Sequence, residues 1–137
     1  MGDAEVKLFQ SWAEQLAAAD EPLDVWYEQM WALDVEHRAI EGAPDDVGPI
    51  VGREAMRAYL VDWYEMFADL AVVPEEIVDA GPGRVIVVFH VAGTARVSGA
   101  PTEMRLAISY TICDGKIVRG REFMTKDEAL AAVSREA

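Results

Sequence analysis

Apolar residues recur at three and four over residues 4–19, where Val6, Phe9, Trp12, Ala13 and Leu16 share one stripe. That spacing predicts an amphipathic helix. Asp20-Glu21-Pro22 interrupts it, and the proline suits the first turn of a short second helix carrying Leu23, Trp26, Tyr27 and Met30. Residues 34–41 lose the helical spacing and read as extended, and the segment from Gly42 to Pro49 is loop by its glycine, proline and aspartate content. A third helix is predicted over 53–68, with Met56, Leu60, Trp63 and Phe67 in one stripe and Tyr59, Tyr64 and Met66 beside it. Pro74 bars its continuation. Beyond it the period falls to two. Strands are predicted over 73–80, 84–96, 103–113 and 117–124, with turns at Gly81-Pro82-Gly83, Gly99-Ala100-Pro101 and Asp114-Gly115. Thr125 to Glu128 has the form of a capping box, and Ala129, Leu130 and Val133 continue a short terminal helix.

Helices gathered before strands indicate an α+β fold, here a single domain over residues 1–137. Val85-Ile86-Val87-Val88-Phe89 is apolar on both faces, whereas an antiparallel strand covered on one side should alternate. Its second face needs a cover. A second copy of the chain, packed through the sheet as a homodimer, is the expected one, and the terminal helix is the alternative.

Composition narrows the function. With 52% apolar residues the chain can build a core, and its one cysteine, Cys113, excludes an internal disulfide framework. A net charge of −13 opposes binding to nucleic acid or to an anionic membrane. The acidic start and the lack of a long apolar run make the cytoplasm the expected location.

The candidate chemistry lies in the last strand and the first. Period two places Val118, Gly120, Glu122 and Met124 on one face, so the Glu122 carboxyl sits among apolar neighbours. A partly desolvated carboxyl is suited to general acid or base work. The competing reading is a surface glutamate paired with Arg121 or Arg105. His37 shares a face with Val35, Ala39 and Glu41, and a neutral imidazole near a carboxylate can pass protons. The competing reading is a structural histidine bonded to backbone. Glu41 would be an auxiliary carboxylate at a pocket mouth. His90 alternates with Val87, Phe89 and Val91 and would reach the same pocket only through a bulge. The two histidines lack a paired spacing, so no metal site is expected. Tyr110 shares parity with Leu106, Ile108 and Ile112 and can offer a phenol in an apolar wall. Trp26, Trp63, Met66, Phe89 and Ile108 are the other expected pocket residues.

The ordered set Leu33-Asp34-Val35-Glu36-His37, Glu41-Gly42, Gly52-Arg53-Glu54-Ala55-Met56, Trp63, Ser98-Gly99, Asp114-Gly115-Lys116-Ile117, Arg121-Glu122-Phe123 and Glu128-Ala129-Leu130 resembles the SnoaL-like polyketide cyclases of the nuclear transport factor 2 superfamily. The resemblance implies a curved antiparallel sheet wrapped around the N-terminal helices to form a cone. It also implies a catalytic acid at Glu122, where those cyclases carry an aspartate in an Arg-Asp-aromatic context. Limonene-type epoxide hydrolases are similar in layout. They place a catalytic aspartate at the Glu122 position and a water-orienting tyrosine at the His37 position. Their second charged pair falls on Phe89 and Val91, which cannot perform that role. The expected function is a cofactor-independent cyclase, isomerase or hydrolase. It would act on an apolar carbonyl- or epoxide-bearing molecule, with Glu122 as acid/base assisted by His37. The alternative is a non-catalytic ligand-binding or dimerisation module of the same fold.

Overall fold

The computed structural model describes residues 3–40, 42 and 48–136. Helix α1 (Asp3–Ala18) buries Phe9, Trp12 and Leu16, the members of its stripe that face inward. Helix α2 (Pro22–Val25) begins on its proline and runs into a wider π-helical turn over Trp26–Met30. There the Trp31 N–H donates to the Trp26 carbonyl, five residues back. A turn of this width is typically local and often functional. Here it sets Trp26 and Trp31 side by side, their rings stacked at 5.8 Å. The chain continues through β1 (Trp31–Arg38), β2 (Ile50–Val51), α3 (Arg53–Met66), β3 (Phe67–Asp79), β4 (Arg84–Ala95), β5 (Pro101–Cys113), β6 (Lys116–Phe123) and α4 (Lys126–Glu136).

Six strands among the described residues form one curved, unclosed sheet in the order β2-β1-β6-β5-β4-β3. All neighbours are antiparallel except β1 and β6, which run parallel. The first long strand and the last are thereby joined, which the expectation of a purely antiparallel sheet did not contain. The β5–β6 hairpin turns on Asp114 and Gly115 with φ of 51° and 76°. Two consecutive positive φ values are what a tight two-residue hairpin requires.

Two boundaries differ from the sequence pattern. The third helix stops at Met66, and β3 starts at once at Phe67 and runs through Pro74. A proline is admissible there because β3 is an edge strand and its pairing with β4 shifts between Pro74 and Glu76. Opposite Thr111 and Ile112 of β5, the register of β6 slips by one residue at Val118, so Ile117, rather than Val118, joins the inner core. One inserted residue reverses the alternation on one side of a bulge.

Inside the curve lies the main core, with Phe9, Met30, Trp31, Val35, Val85, Val87, Phe89 and Ile117 almost fully buried. On the outer side a second cluster joins Ile86, Ala107 and Phe123 to Ala129 and Ala132 of α4. Thr125 caps that helix through its Oγ1, which accepts the Glu128 N–H at 3.1 Å. The terminal helix therefore covers the outer face around Ile86, and burying that residue does not require a second copy of the chain.

Candidate active site

β6 and β1 carry the charged pair into the core. His37 pairs with Gly120 across the parallel β1–β6 ladder, and Glu122 follows two residues later on the same face. His37 Nε2 lies 2.6 Å from Glu122 Oε2, although 85 positions separate the two in the chain. Both side chains are buried, with 4% of His37 and 7% of Glu122 exposed. A buried ionisable pair demands close geometry and further hydrogen bonds to offset desolvation. The Tyr59 hydroxyl, from α3, meets that demand by donating to the same Oε2 at 2.9 Å. With Glu122 ionised, Oε2 accepts from both groups, which assigns the His37 proton to Nε2. Among the described residues nothing hydrogen-bonds Glu122 Oε1.

Gly120 makes the pairing sterically possible. A Cβ at this position would lie 2.7 Å from His37 Nδ1 and 3.2 Å from Tyr110 Cε1. The first contact is shorter than real Cβ atoms make and the second is tight, so a larger residue would force the imidazole aside and press on the phenol. Tyr110 pairs directly with Gly120 on the other side, and Ile108 with Glu122. Three strands thus hold the two polar rings and the carboxyl in fixed register.

The pair borders an inner cavity of about 60 Å³. Trp26, Trp31, Trp63, Phe89, Ile108 and Tyr110 form much of its wall, with Met56, Leu60, Val72, Val91 and Leu106. Tyr110 stacks on Phe9 at 5.3 Å and meets Phe89 edge-on at 6.5 Å. Burial raises the Tyr110 phenol well above its ordinary value, and the neighbouring Glu122 and Tyr59 add to that. The phenol is therefore a hydrogen-bond donor throughout the physiological range. A wider basin of about 990 Å³ adjoins the cavity and shares Tyr59, Trp63 and Glu122 with it.

Most of the residues singled out from the sequence meet here: Glu122, His37, Tyr110, Trp26, Trp63, Phe89 and Ile108 all border the inner cavity. Met66 does not. It is half-exposed and lines the outer basin. His90 is outside the site altogether. Strict alternation leaves it on the opposite side of the strand from Phe89 and Val91, with Nε2 3.0 Å from Glu103 Oε1. No bulge turns it inward, because the β4–β5 register runs unbroken from Arg84 to Thr94. Glu41 lies outside the described residues. The arginines that could have held Glu122 at the surface are engaged elsewhere: Arg105 pairs with Glu75 at 2.6 Å, and Arg121 lies over the Phe123 ring. Among the described residues, no group of three or more His, Cys, Asp or Glu could hold a metal ion, and no helix is long and apolar enough to cross a membrane.

Tyr59 and Trp31 were not among the site residues expected from the sequence. Tyr59 belongs with Met56, Leu60 and Trp63 at helical spacing on α3, so the stripe itself was the available signal. Trp31 had no such signal, since its position depends on the π-helical turn before it.

Comparison with known proteins agrees with this architecture. The SnoaL-like domain matches residues 10–120. The chain belongs to the SnoaL-like family. The match ends two residues before Glu122, so the family pattern covers His37 and Gly120 but leaves the acid itself to the geometry. Among solved structures, this SnoaL-like chain is similar to a nuclear transport factor 2-like protein from Burkholderia thailandensis (TM-score 0.72, 20% identity, 96% of this chain and 97% of that one). It is similar also to a Mesorhizobium loti protein described as a SnoaL-like polyketide cyclase (TM-score 0.68, 21% identity, 90% and 99%). A Mycobacterium tuberculosis protein in complex with estradiol-17beta-hemisuccinate shares the fold too (TM-score 0.65, 24% identity, 88% and 92%). At these identities the likeness is one of fold. No curated protein matches the chain. The SnoaL-like fold includes cyclases, isomerases and ligand-binding proteins.

Proposed function

We propose that this SnoaL-like chain is a cofactor-independent acid/base enzyme that moves a proton on an apolar, carbonyl-bearing small molecule. The observation that carries this reading is the Glu122 carboxyl, buried at an apolar cavity with two donors on Oε2 and Oε1 left for a ligand. Glu122 Oε1 removes a proton from the carbon beside the carbonyl. The electron pair of that C–H bond moves onto the carbonyl oxygen, where the Tyr110 phenol donates a hydrogen bond to the developing charge. His37 and Tyr59 hold the carboxyl plane and keep Oε1 toward the ligand. Returning the proton to another carbon gives isomerisation; attack of the enolate carbon on a second carbonyl, whose π pair moves to its oxygen and takes the proton back from Glu122, gives ring closure. Epoxide opening is less well served, because Phe89 and Val91 stand as apolar wall where a second charged pair would be needed. That a relative of this fold is in complex with estradiol-17beta-hemisuccinate, a steroid with a large apolar body and one succinate half-ester arm, supports a ligand whose body is apolar.

The test is exchange of the protons beside the carbonyl of a long-chain methyl ketone in heavy water, followed by NMR. The wild-type chain is expected to accelerate exchange, and Glu122→Gln to lose about a hundredfold or more of that acceleration while staying folded and still binding the ketone. Undiminished exchange in a folded Glu122→Gln chain overturns the reading and leaves the ligand-binding module in its place.

A further inference from the structure

The two compartments differ in a way that describes the substrate, on the reading just given for Glu122. By volume, the inner cavity of about 60 Å³ takes a carbonyl and the few carbons around it, roughly four to six water-sized positions. Anything larger must extend past Tyr59 and Trp63 into the basin of about 990 Å³, which is as large as the pockets that hold whole small molecules.

The walls of that basin are apolar and adaptable. Met66, Met104 and Met124 line it together with Ile50, Val51 and Phe67. Methionine side chains are unbranched and polarisable, so they fit apolar tails of varied shape. Met66 and Met124 are 50% and 64% exposed, so the basin presents apolar surface.

Charge is distributed just as unevenly. Among the described residues that line either compartment, the charged side chains are the carboxylates of Glu122 and Asp62; His37 is the remaining titratable base, and no lysine or arginine is present. The chain as a whole carries −13. A carboxylate or phosphate would enter this basin with no lysine or arginine on its lining and with Asp62 to repel it; Arg96 lines the adjoining cleft, which shares Asp62, Met66 and Phe67 with the basin and holds Glu65 as well.

We infer that the substrate is a free, elongated apolar ketone or ester without negative charge, its carbonyl in the inner cavity and its tail on the methionine-lined basin beside Asp62.

Binding of three matched probes, read by quenching of the cavity tryptophans, tests this. The probes are a long-chain methyl ketone, the same ketone with a carboxylate at the far end, and the same ketone with an ammonium there. The neutral and ammonium forms are expected to bind, and the carboxylate form to bind at least about tenfold more weakly. Asp62→Lys should bring the carboxylate form to within a few-fold of the neutral one, and Met66→Glu should weaken the neutral ketone several-fold. A carboxylate form that binds the wild type as tightly as the neutral ketone overturns the inference. Equal binding of all three by the wild type, Asp62→Lys and Met66→Glu overturns it as well, since the basin would then not be where the tail lies. These readouts need no turnover. Loss of the charge preference with Glu122-dependent proton exchange intact refutes the substrate class alone. The preference without such exchange refutes the catalytic reading alone.

Discussion

At the residue scale, Gly120 and Tyr110 are the positions that most constrain the site. Gly120→Ala would push a methyl group to within 2.7 Å of the His37 ring. The imidazole must then move off Glu122 Oε2. Ketone proton exchange is expected to fall by about ten- to a hundredfold, since small displacements of positioned groups cost on that order. Unaltered exchange, with an unaltered pH profile, would show that the His37–Glu122 contact is not needed. For Tyr110 the sign of the pH effect follows from burial. Its folded phenol titrates well above the ordinary value of 10.0 shown by an unfolded chain. Below pH 10 both states keep the proton, and the contribution to stability is complete. Above it the unfolded state releases the proton first, so stability falls with rising pH until the folded phenol also ionises. Tyr110→Phe should therefore lose stability less steeply above pH 10 than the wild type, measured by urea unfolding across an alkaline series. Equal slopes would contradict the buried, neutral phenol.

At the element scale, the outer face depends on α4. Ile86 is fully buried between the sheet and that helix, while Val73 on β3 is 48% exposed. Ile86→Ala is expected to cost about 2–5 kcal/mol in chemical unfolding, and Val73→Ala below about 1 kcal/mol. Comparable losses at the two sites would mean that α4 does not seal the face. The elements also show what a linear pattern can and cannot carry. Helices α1 and α3 and the strands from β4 onward were legible because their apolar positions recur at 3.6 or 2.0. Glu122 was legible for the same reason, with Gly120 and Glu122 sharing parity on one inward face. The extension of β3 back to Phe67 was not, because it depends on an irregular register opposite Gly93, whose Cβ would come within 3.1 Å of Phe67 Cβ. Nor was the cover over Ile86. Whether a helix of the same chain or a second chain lies against a strand is decided by how the chain closes in space, not by the strand's own residues.

At the scale of the whole molecule, the site belongs to no single element. His37 comes from β1, Glu122 from β6, Tyr59 from α3 and Tyr110 from β5. The parallel joining of β1 to β6 brings the first two within 2.6 Å of each other. The curved sheet and the helices inside it supply the apolar wall of the inner cavity, and the open side supplies the basin. Groups assembled in this way act as a unit, and their separate removals should not add. The most direct measurement is a double-mutant cycle of Glu122→Gln and His37→Gln on the rate of ketone proton exchange. Each single variant is expected to lose about a hundredfold, and the double variant no more than the worse of the two. Losses that multiply in the double variant, or a single variant that exchanges at the wild-type rate, would contradict a proton-transfer site built on this pair.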